Sequence, residues 1–155
     1  DFIPTGASAI YAIFQNMARL LTRIVLAALF LLAGACHLLD PRLFLPIMPP
    51  WIPAPMAAII VSGIAELAGG VGLLVPIPEL QRAAGWGLLL LLVAVFPANI
   101  HMAAAHIRIK GFPSHEWMSW ARLPLQPLLM LLVSWSTAIW PQAGGQGRKA
   151  EPATA

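Results

Sequence analysis

Glu66 is where chemistry enters this sequence: a lone carboxyl in the otherwise apolar and small-residue run from Met56 to Val75. A carboxyl in such surroundings is either protonated, because desolvation penalises its charged form, or paired with a cation. Helical spacing puts Ser62, Glu66, Gly69, Gly70 and Leu73 on one side, with Ala65, Ala68, Gly69 and Gly72 on an adjoining face. Small residues let another helix approach closely, so this side is expected to face other helices. Two readings follow. Glu66 is a structural hydrogen bond that fixes packing, or it handles a proton or a ligand.

Other side chains fit the second reading. His37 closes the preceding apolar run, Asn99 follows Pro97, and Arg122 stands before Leu123–Pro124. An imidazole and a carboxyl can relay protons, whereas an amide and a guanidinium can orient a carbonyl or an anion. Asn99, Met102 and His106 share a helical face, while His101 points roughly 160° away at 100° per residue. At most one of these histidines can therefore join Asn99, and Asn99 is expected to turn inward. Each histidine taken alone suits a membrane interface better than a ligand. Haem is disfavoured, since His37, His101 and His106 sit near one surface. No metal site is expected, because Cys36 is the only cysteine and no His pair has i,i+4 spacing.

Such residues need elements to hold them, and composition says which. Hydrophobic residues make up 59% of the 155 and charged residues 10%, against roughly 25% in a soluble domain. Nine Lys/Arg and six Asp/Glu cannot cover a surface in water, so lipid is the expected solvent. The net charge of +3 comes without a dense basic stripe, which argues against nucleic acid. A spanning helix takes roughly 20 apolar residues. Four segments approach this: Leu20 to Leu39, Met56 to Val75, Ala83 to Ala105 and Leu123 to Trp140. Asp40–Pro41 should stop the first, Pro76 and Pro78 the second, Gly111 and Pro113 the third, and Pro141 the fourth.

The expected architecture is all-α, a four-helix transmembrane bundle with a Pro-rich apolar cap between helices 1 and 2. The cap run Pro46 to Ala54 and Pro55 is apolar yet too rich in proline for a helix, with Trp51 as an interfacial anchor. Residues 1–18 form an N-terminal extension, with a short interfacial helix over Ala7 to Phe14; residues 19–140 form the membrane domain and 141–155 a mobile tail. Prolines 124 and 127 are expected near the start of the fourth helix, and Pro76 to Arg82 as a short link between antiparallel neighbours. Positive charge is distributed five against four, with Arg19, Arg23, Arg82, Arg148 and Lys149 on one side. That favours both termini in the cytoplasm. In this topology His37, Trp51, Asn99, His101 and Arg122 gather at one mouth, above Glu66.

At these residues the sequence resembles the DoxX-like family of small bacterial membrane proteins. The resemblance rests on Leu32-Ala33-Gly34 with His37, Ile47-Met48-Pro49-Pro50-Trp51, Ser62 to Gly70, Phe96-Pro97-Ala98-Asn99-Ile100 and Arg122-Leu123-Pro124-Leu125-Gln126, and covers about Met17 to Ala138. It implies a four-helix membrane bundle in the bacterial inner membrane. It also implies an association with redox partner subunits, since some relatives are membrane subunits of a thiosulfate:quinone oxidoreductase. Relatives linked to methylamine-enzyme maturation are a poorer match, because the chain lacks paired cysteines. The expected function is a redox-associated membrane protein binding a quinone-like or other small ligand through His37, Trp51, Glu66, Asn99 and Arg122. The alternative is a non-catalytic anchor or assembly subunit of a larger complex.

Overall fold

A computed structural model of the chain describes residues 6–108 and 115–139, and every regular element among them is helical. The first helix, α1, runs unbroken over Gly6–Leu39, 34 residues or about 51 Å at 1.5 Å per residue. The separate interfacial helix expected at Ala7 to Phe14 is therefore the first part of α1. The reason is local. No proline or glycine lies between Gly6 and Gly34, and most residues there are good helix formers. Pro41 stops α1 as expected by forcing Asp40 out of the helical region, to φ −142° and ψ 76°.

The cap begins with a 3₁₀ helix, Pro41–Ile47. The proline-rich run was expected to hold no helix, yet Pro46 and Ile47 complete this one. The remainder, up to Ala54, is irregular. Phe44 and Ile47 of the cap are buried together with Ile59 and Met102.

Next come α2 over Pro55–Leu74 and α3 over Pro78–Ala104. Pro55 and Pro78 each open a helix, where a fixed φ and a missing N–H cost nothing. Pro78 thus starts α3 instead of ending α2, and the link between them is shorter than expected. The last described helix, α4, covers Glu116–Ser136 and holds Pro124 and Pro127 well inside it, not near its start. Trp140 and Pro141 lie outside the described residues, as do Gly111, Pro113 and the tail.

Helices α1 and α2 make the most extensive contact, α3 packs on α2, and α4 packs on α3 and α1. Glycines allow the first approach. A Cβ on Gly34 would sit 2.7 Å from the Gly63 carbonyl, and one on Gly63 would sit 2.8 Å from the His37 Cβ. The main core joins Leu26, Ala27 and Phe30 of α1, Leu73 of α2, Leu88 and Leu92 of α3, and Val133 of α4. The outside stays apolar, with Leu32, Val61, Leu90 and Leu131 all exposed. Three helices, at Ser8–Leu39, Pro55–Leu74 and Pro78–Ala104, are long and apolar enough to cross a membrane. The fourth, α4, matches α2 in length and is not among them.

Candidate functional site

Glu66 lies just past the middle of α2 with its side chain 10% exposed. Its Oε2 is 2.9 Å from Nδ1 of His37, on the neighbouring α1. The same nitrogen lies 2.9 Å from the Ala33 carbonyl, one turn back along α1. Two oxygens therefore converge on one ring nitrogen. An Nδ1–H donates to both; alternatively, a protonated Glu66 donates its O–H to Nδ1. In either case Nε2 remains the second functional nitrogen of the ring. Phe44 of the cap stacks on the imidazole, with ring centroids 4.1 Å apart.

The expected mouth placed His37 above Glu66. The structure puts them at one level, because α1 stops beside the middle of α2. The cap fills the space that further turns of α1 would have taken, burying Phe44 and Ile47 there. A second histidine holds it in place: His101 Nδ1 donates to the Ile47 carbonyl at 3.1 Å.

Asn99 forms a separate pair. Its Nδ2 donates to Oε1 of Gln126 at 2.6 Å, and Nε2 of Gln126 donates to the Leu92 carbonyl. Gln126 is almost fully buried and links α4 to α3 through two bonds. Sequence reasoning passed over it, although a lone amide in an apolar helix facing the Pro97 region was a usable signal. Gly69 lies against Leu88 in the antiparallel register of α2 and α3. Glu66 is thus near the level of Leu91, and Asn99 lies about 12 Å further toward the cap.

The remaining expected site residues, Arg122 and Trp51, bond to neither pair. Arg122 Nη1 approaches the Met102 sulfur at 3.6 Å. Trp51 is 68% exposed on the irregular part of the cap. Of the five expected residues, the structure joins His37 with Glu66. An open apolar groove of about 560 Å³ lies elsewhere, between α3 and α4, lined by Trp86, Leu89, Pro127, Met130 and Leu131. Among the described residues, no three His, Cys, Asp or Glu side chains group as a metal site would require.

The family model described as Domain of unknown function (DUF8561) matches residues 26–139. The chain belongs to this family. No curated protein and no solved structure matches it. The DUF8561 region takes in His37, Glu66, Asn99, Gln126 and the whole cap. It leaves out the first part of α1, including Arg19 and Arg23.

Proposed function

We propose that this chain is a redox-associated integral protein of the bacterial inner membrane, similar to DoxX-like proteins, in which His37 and Glu66 bind a small carbonyl ligand of the quinone class. The observation that carries this reading is the 2.9 Å contact between an imidazole and a carboxyl in the interior of an apolar helical protein. Ionisable groups are expensive at that depth, and together they can hold a proton and offer it to a neighbouring oxygen. The pair hydrogen-bonds one ligand carbonyl. When a partner redox subunit supplies electrons, it passes a proton to that oxygen. Asn99 is engaged by Gln126 and Arg122 by Met102, so ligand contact falls mainly to His37 and Glu66.

The topology belongs to the same proposal. Its 21 residues make α4 long enough for a fourth span, and its packing on α1 and α3 supports one. Both termini are then cytoplasmic, together with Arg19, Arg23 and Arg82.

A second reading has its own support. His37, Glu66, Asn99 and Gln126 all have partners within the chain, as the polar residues of a membrane anchor or assembly subunit would. One experiment separates the two: extraction of the protein purified from its native membrane, followed by chromatography for quinones. The ligand reading expects quinone from the unaltered protein and little from Glu66→Gln or His37→Leu. No quinone from any of them, with the variants weakening only the capture of partner subunits, would leave the anchor reading standing.

A further inference from the structure

At the end of the helices opposite the cap, α1 carries Arg19 and Arg23 one turn apart on one face. The Arg19 guanidinium lies 5.6 Å from the centroid of the Trp135 ring of α4. Arg23 Nη1 donates to Oε1 of Gln81, and Nε2 of Gln81 donates to the Val75 carbonyl at 2.9 Å. The link between α2 and α3 therefore positions the Arg23 side chain. Arg82, at the same end, is exposed and lies 3.8 Å from Glu79.

Arg23 is the unbalanced charge. Its partner Gln81 is a neutral amide, and its Nε is buried with no hydrogen-bond partner. Among the described residues no carboxylate lies within ion-pairing distance of it. A half-buried guanidinium without a counter-charge is costly, so the missing negative charge is to be sought outside the chain. Its neighbours on α1 say where. Leu20, Leu21 and Ile24 are exposed and apolar, and the bond to Gln81 holds Arg23 level with the end of α2, at the edge of the hydrocarbon that α2 and α3 would cross. At that depth the abundant anions are lipid phosphates, and the guanidinium fork matches phosphate geometry.

We propose that Arg23, with Arg19 beside it, binds the phosphate of an anionic phospholipid headgroup at the loop end of the protein. This rests on α1 crossing the membrane and is independent of the chemistry at His37 and Glu66. Native mass spectrometry tests it, with the full chain released from micelles holding equal amounts of phosphatidylglycerol and phosphatidylcholine. The unaltered protein should retain phosphatidylglycerol about fivefold or more over phosphatidylcholine. Arg23→Gln should bring the ratio close to one, Arg23→Lys should fall between, and Arg82→Gln should leave it unchanged. Helicity and elution volume show whether each variant is folded; if Arg23→Gln is not, Arg19→Gln should show the lowered ratio instead. Equal retention of both lipids, or an undiminished preference in a folded Arg23→Gln, overturns the proposal. A second arm adds inorganic phosphate without anionic lipid. Thermal stabilisation as large as that given by phosphatidylglycerol would assign the site to free phosphate and also overturn it.

Discussion

Glu66 and His37 can be separated energetically because His37 Nδ1 has a second acceptor in the Ala33 carbonyl. Losing the carboxyl does not strand the imidazole. Glu66→Leu is therefore expected to cost only about 1 kcal/mol, in line with interhelical hydrogen bonds in membranes. Thermal unfolding of Glu66→Leu, His37→Leu and the double variant in detergent checks this. The coupling between the two should be about 1 kcal/mol, and additive effects would mean the contact contributes nothing. Gly63 is less forgiving. Its Cβ position is 2.8 Å from the His37 Cβ and 3.1 Å from the Gly34 carbonyl. Gly63→Val should destabilise by about 1–3 kcal/mol through overpacking, whereas Gly87→Ala, with open space around it, should not.

At the scale of elements, two helices depend on a single side chain. Pro97 deprives the Val93 carbonyl of its usual donor, and Gln126 from α4 serves the adjacent Leu92 carbonyl and Asn99 together. Gln126→Leu leaves the Asn99 amide without its partner and removes the second donor to the Leu92 carbonyl, and is expected to cost about 1–2 kcal/mol, again read from thermal unfolding. The cap has a comparable dependence on His101. Cys36 packs beside Phe44 and Ile47, so its alkylation rate reports how tightly the cap is held. His101→Leu should speed the reaction of Cys36 with a maleimide roughly tenfold, by making local opening easier. Unchanged kinetics would show that the bond to Ile47 does not hold the cap down. Sequence alone located the end of α1 at Asp40–Pro41 and the end of α2 before Pro76, where a proline acts on its own neighbours. It misjudged Pro78, Pro124 and Pro127, since a proline's meaning depends on which side of a helix boundary it falls. Gln126 was hidden for another reason: its importance comes from a carbonyl 34 positions away, and no local pattern carries that.

For the whole molecule, the proposed four-span topology fixes which positions face each side of the membrane. In a Cys36→Ser background, Glu79→Cys in the first turn of α3 and Arg108→Cys beyond its end mark α3, while His115→Cys and Ala138→Cys flank α4. With four spans, Glu79→Cys and Ala138→Cys should be labelled from one side by a membrane-impermeant maleimide, and Arg108→Cys and His115→Cys from the other. Labelling of His115→Cys and Ala138→Cys from a single side would place α4 against the membrane, not through it. The membrane character of the chain was legible from its 59% hydrophobic content and its few charges. His37 and Glu66 were grouped from sequence, but their direct contact at one level was not legible. It depends on how deep α1 stops alongside α2, a matter of packing register that neither segment encodes by itself.

That early stop divides the protein into parts that can change independently. The carboxyl and imidazole are fixed by glycine-lined helix contacts, which tolerate little alteration. What separates them from the nearer membrane surface is a seven-residue turn of the chain, Pro41–Ile47, followed by an irregular stretch. Insertions or exchanges in that stretch can alter what covers the pair while leaving the helix contacts that hold it in place.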